Sequence, residues 1–166
     1  MKLIAAVLVA FAAATTAPLF AQDAQNAVEE NLVIENAFTR PTPAGATVAV
    51  GYLTITNNGA APDRLVSVDS DISKKVEIHE SKMVNGVMEM HEMPNGLEIP
   101  AGGTVALTPG GDHIMFMDIT HPVKAGDIIH ATLGFENTGK VEIGFKAAAS
   151  MGAMAPGGDM GGMKMK

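Results

Sequence analysis

From Leu32 to about Lys146 the chain alternates apolar and polar residues in short runs, each bounded by a turn signal. The runs fall at 32–39, 48–57, 64–70, 75–83, 87–93, 104–108, 113–119, 127–135 and 141–147. None is long enough or periodic enough to bury one face of a helix, so each predicts a strand. Asn58-Gly59, Asn85-Gly86, Asn95-Gly96, Pro109-Gly110-Gly111 and Thr138-Gly139 separate the runs and supply the positive φ values that tight turns require. Such a succession predicts an all-β fold, a β-sandwich of Greek-key type.

The two ends depart from this pattern. Met1 and Lys2 precede an uncharged run from Leu3 to Ala14, followed by Pro18 and a small-residue end at Ala21, the layout of a secretory signal peptide spanning 1–21. A membrane anchor needs about 18 to 20 apolar residues in a row. Thr15, Thr16 and Pro18 interrupt the run here, and no later segment could span a bilayer, so no membrane span is expected in the mature form. Residues 22–30 are polar and read as a loose lead-in to a single folded domain, 22–149. Residues 150–166 are mostly Gly, Met, Ala and Lys, which cannot bury enough surface to order themselves, and read as a flexible tail. That tail still carries Met151, Met154, Met160, Met163 and Met165, thioethers with no core to pack into.

Composition narrows the chemistry. A chain of 166 residues makes one domain of ordinary size. Its formal charge is −7, and loss of residues 1–21, which carry only Lys2, moves it to −8. An acidic domain repels nucleic acid and anionic lipid at long range, so neither is an expected partner. The chain has no Cys, which excludes disulfide staples, thiol catalysis and thiolate metal ligation. Soft-metal chemistry must then rest on its 12 Met and 5 His. No Ser, His and Asp arrangement, paired-carboxylate motif or phosphate loop is present to suggest an enzyme.

The segment Val76 to Met93 makes a geometric prediction. Asn85-Gly86 is the preferred pair for a two-residue type I′ turn, which sets Val84 opposite Val87 and fixes the register of the ribbon. Met83 then faces Met88, Ser81 faces Met90 and His79 faces Glu92, so all six share one side. His79 and Met90 become diagonal neighbours. His91 and Met93 point to the other side and are accessory candidates only. In the run from His113 to Met117, alternation puts His113, Met115 and Met117 on one face and leaves Ile114 and Phe116 for the core. Bringing the two segments together gives two nitrogens and two sulfurs around one point. Thioether sulfur ligates Zn(II), Ca(II) and Mg(II) poorly, whereas Cu(I) accepts thioether and imidazole in a low-coordinate arrangement. A blue-copper electron-transfer site would require a Cys thiolate. His121 and His130 have no soft partner at useful spacing and read as structural.

These residues resemble the periplasmic copper chaperones of the PCuAC type over roughly Leu32 to Lys146. The resemblance is carried by VEIHESKMVNGVMEMHEM from Val76, where ten residues separate His79 from Met90, and by AGGTVALTPGGDHIMFMDI from Ala101. It implies a cupredoxin-like β-sandwich and a ligand set of His79, Met90, His113 and Met115. Between Met90 and His113 lie 22 residues, one more than the family motif usually carries, in a stretch whose Asn95-Gly96 and Gly102-Gly103 can absorb it. The resemblance further implies a periplasmic, non-enzymatic carrier that supplies a copper-accepting protein or a subunit of a respiratory oxidase. Tails in such proteins bind additional copper, including Cu(II) where His is present; this tail lacks His and predicts weak Cu(I) capture. The rival expectation is a storage or resistance protein that sequesters several ions through the tail.

Overall fold

The computed structural model describes residues 25–29 and 31–148. The expected signal peptide and the tail with Met151, Met154, Met160, Met163 and Met165 lie outside the described residues. Eleven strands and no helix are found among them: β1 (Ala27–Glu29), β2 (Leu32–Thr39), β3 (Val48–Asn57), β4 (Asp63–Ser70), β5 (Lys75–Val84), β6 (Val87–Glu92), β7 (Leu97–Ile99), β8 (Thr104–Leu107), β9 (His113–Met117), β10 (Ile128–Phe135) and β11 (Lys140–Ala147). The nine expected runs all form strands, with ends that agree to within two residues. Two strands were not expected. Ala27–Glu29 pairs with β2 through Val28↔Val33, so part of the polar lead-in is sheet rather than loose chain. Leu97–Ile99 pairs with β4 and buries Leu97 and Ile99.

The strands form one continuous ladder in the order β6-β5-β9-β3-β2-β11-β10-β4-β7, with β1 added to β2 and β8 to β3. Every pairing is antiparallel except β11 with β2, which run parallel through Lys146↔Phe38 and Ala147↔Thr39. A bulge between Glu35 and Phe38 bends β2, and Asn36 takes φ 57° there. Asn tolerates that left-handed conformation better than a bulky residue would. The ladder coils on itself until β4 packs against β5, which closes two layers over one core. This is the cupredoxin-like sandwich.

Alternation along the strands fills that core with Leu53, Ile55, Leu107, Ile114, Phe116, Leu133 and Phe145. Phe116 on β9 meets Phe145 on β11 edge to face, ring centroids 5.5 Å apart at 76°, a favoured aromatic geometry. Gly51 makes room for the pair. A Cβ there would lie 2.8 Å from Phe116 Cε2 and 3.0 Å from Phe145 Cε1, which explains a glycine in the middle of a strand. Seating Phe116 inward fixes the pleat of β9 and turns His113, Met115 and Met117 to its other face.

Candidate metal centre

The hairpin β5–β6 has the register that its turn dictates. Asn85 and Gly86 take φ 51° and 82°, as a type I′ turn requires, and Val84 pairs with Val87. Met83↔Met88, Ser81↔Met90 and His79↔Glu92 follow. Strand β9 then lies on the other side of β5, with His79 directly opposite His113 and Glu77 opposite Met115. His79 is therefore central: His113 is its direct neighbour, and Met115 and Met90 are its diagonal neighbours on either side. The two imidazole centroids are 5.7 Å apart, tilted by 44°.

Each imidazole is oriented by the residue two positions before it. Nε2 of His79 lies 2.8 Å from Glu77 Oε2. An ionised carboxylate only accepts, so Nε2 carries the proton and Nδ1 keeps its lone pair. That Nδ1 is buried and has no hydrogen-bond partner. Nδ1 of His113 lies 3.0 Å from the Gly111 carbonyl, which also only accepts, so the lone pair of His113 is on Nε2. Hydrogen bonding the far nitrogen to a carboxylate or carbonyl is how metal-ligating imidazoles are held. An unsatisfied buried acceptor costs about 1–3 kcal/mol, and an ion placed between the rings would remove that cost.

Glu77 is shared. It also binds Lys75 Nζ at 2.6 Å. The hydrogen bond from Lys75 and then that from His79 hold the Glu77 carboxyl below the usual carboxylate range, so it stays an acceptor. Glu77 and the Gly111 carbonyl are the two contributors that reading for ligands alone missed. For Glu77 strand alternation was the available signal, since position i−2 on β5 shares a face with position i; the Gly111 carbonyl lies in the turn before β9 and had no such signal.

Exposure is graded across the face. His113 is 6% exposed and Met115 half-buried, whereas Met90, on the edge strand β6, is 57% exposed. His91 lies on the opposite side of β6, paired with Glu80, its Nε2 3.2 Å from Glu89. Met93 packs against the core and donates its backbone N–H to Ile78. The register brings neither into the His79–His113 face. His121 and His130 are exposed elsewhere. Among the described residues no three His, Asp or Glu side chains converge as a site for a harder cation. What the register does set side by side is the two imidazoles, with Met115 and Met90 at the diagonal positions on either side of His79.

The fold is that of a cupredoxin-like domain of the PCuAC type. The chain is similar to the copper-bound PCuAC domain from PmoF2, with TM-score 0.63 and 27% identity over 75% of this chain and 97% of that one. It is also similar to the Cu(I) form of DR1885 from Deinococcus radiodurans, with TM-score 0.54 and 26% identity over 75% of this chain and 80% of that one. The LpqE-like family model matches residues 32–147, and the chain belongs to the LpqE-like family. A relative described as "Putative lipoprotein Lxx21020", from Leifsonia xyli subsp. xyli, is 34% identical over 108 residues, 65% of this chain. That match spans 64% of the relative's length, just under two thirds.

Proposed function

We propose that this protein is an exported, non-enzymatic copper chaperone of the periplasm that carries one Cu(I) on His79, Met90, His113 and Met115. The orphaned, buried Nδ1 of His79 beside His113 carries the reading, and the copper-bound relatives of the same fold support it. Cu(I) is the cargo, taken by neutral nitrogen and sulfur donors and passed on by exchange with a partner's donors. Met90 at the exposed edge is where such a partner first gains access. The acceptor is a copper centre of a respiratory oxidase or another copper-accepting periplasmic protein. The folded carrier spans 22–149, preceded by a cleaved signal peptide, 1–21.

Anaerobic Cu(I) titration against a competing chelator tests this. The protein is compared with a variant carrying His113→Ala and Met115→Ala and with a chain ending at residue 149. One tight equivalent that survives truncation and disappears in the double variant is the expected result. Tight binding that survives the double variant and follows residues 150–166 would transfer the function to the Met-rich tail, and the protein would be a sequestering store.

A further inference from the structure

The hairpin β5–β6 reaches beyond the core. On β5 the last buried residue is Ile78, and every residue from Lys82 to Met88 is exposed. Packing therefore accounts for none of the long apolar side chains there. Met83 is 64% exposed, Met88 45% and Met90 57%. They are not scattered. Met83 stands directly opposite Met88, and Met90 follows two residues along β6, opposite Ser81. The pleat puts all three on the face that holds His79 and His113.

Directly opposed Cβ atoms in an antiparallel pair lie about 4.5–5.5 Å apart, and diagonal neighbours about 7–8 Å. A methionine sulfur rides on an unbranched stem with three rotatable bonds. Three thioethers set at these spacings can close on one ion. We propose that Met83, Met88 and Met90 form a second Cu(I) site at the hairpin tip, made of sulfur alone and sharing Met90 with the His79–His113 centre.

Sulfur-only coordination selects Cu(I) over harder ions. It also binds no proton in competition, unlike imidazole, so the tip holds its ion in media acid enough to charge histidine. Sharing Met90 joins the two sites. An ion at the tip reaches the inner centre by forming a bond to a histidine nitrogen before its bonds to Met83 and Met88 break, with Met90 held throughout. No electron moves, and the ion remains Cu(I). Val84 and Val87, on the other face of the tip, offer only apolar contact. Replacing sulfur by carbon at constant bulk therefore separates metal capture from hydrophobic docking.

This inference rests on the copper-carrier reading, and one experiment tests the two separately. The intact exported chain, with isotopically labelled methionine methyl groups, is titrated anaerobically with Cu(I) to saturation and followed by NMR. The first equivalent is expected to shift the Met90 and Met115 methyls. Further Cu(I) is expected to shift Met83 and Met88 and to move Met90 again. In a Met83→Leu and Met88→Leu variant the bound copper should fall by one equivalent, with the response of Met115 unchanged. Met83 and Met88 signals that stay fixed to saturation, or a double variant that binds as much copper as the parent, would overturn the tip site whatever Met115 does. A Met115 that never responds while Met83 and Met88 do would instead retain the tip and remove the inner centre.

Discussion

At the scale of single residues, His79 depends on a neighbour that touches no cargo. Glu77 holds Nε2–H of His79 and is itself held by Lys75, which leaves the buried Nδ1, on the ring beside His113, with its lone pair free. In Glu77→Gln the amide oxygen is a weaker acceptor and the Lys75 ion pair is lost. Loss of such an outer partner typically weakens metal binding about 10- to 100-fold. Chelator competition should show a loss of that size in Cu(I) affinity, with the circular dichroism spectrum unchanged. The four candidate ligands were legible as residue types with useful spacing. The tautomers of the two histidines were not, because these depend on Glu77 Oε2 and the Gly111 carbonyl, whose positions exist only once strands β5 and β9 are formed.

At the scale of elements, the β5–β6 register rests on two residues. A Cβ at Gly86 would meet nothing within 4 Å, so Gly86→Ala costs backbone strain at φ 82° and no steric clash. That strain is roughly 1–2 kcal/mol. Weaker Val84–Val87 cross-strand contacts in NMR spectra and a lower Cu(I) affinity are the expected outcomes, because Met90 is placed by this turn. The same pair made the hairpin readable in advance: Asn-Gly between alternating runs specifies loop length, turn type and register together. By contrast, β1 and β7 have three residues each, too few to show alternation. Leu97 and Ile99 are strand because Leu65 and Asp63 pair with them, a contact that crosses more than thirty residues of sequence.

At the scale of the whole molecule, the His79–His113 face and the polar latch at Asp63 occupy opposite ends. The rung Ala147–Thr39–Gly51–Ile114–Ile78 crosses five strands beside His79 and His113. At the far end of β11, Asp63 accepts the backbone N–H groups of Asn137 and Thr138 and the Thr138 hydroxyl. Burial pushes the Asp63 carboxyl up, but the Thr138 hydroxyl and the N–H groups of Asn137, Arg64 and Thr138 outweigh it and hold the carboxyl below its ordinary 3.8. The unfolded chain therefore binds the proton first as pH falls. Stability from this latch is complete above the ordinary value and is lost as pH drops through the depressed one. Asp63→Asn should cost about 1–3 kcal/mol, flatten that part of the pH dependence of urea midpoints, and leave Cu(I) affinity intact. Sequence periodicity reached the two faces of β9 and the hairpin register. The pairing of β5 with β9, which sets His79 against His113, had no local signal, since 33 residues intervene and turn chemistry does not act over that span. The edge position of β6 bears on release of the cargo. β6 pairs with β5 alone and buries no side chain, whereas β5 and β9 are paired on both sides. Detaching β6 uncovers no core, so its opening belongs to the low end of the free-energy scale for local unfolding. One donor of the proposed four thus sits on an arm that can open while the other three stay in place, so the proposed exchange with a partner's donor is expected to begin at that arm without any unfolding of the domain.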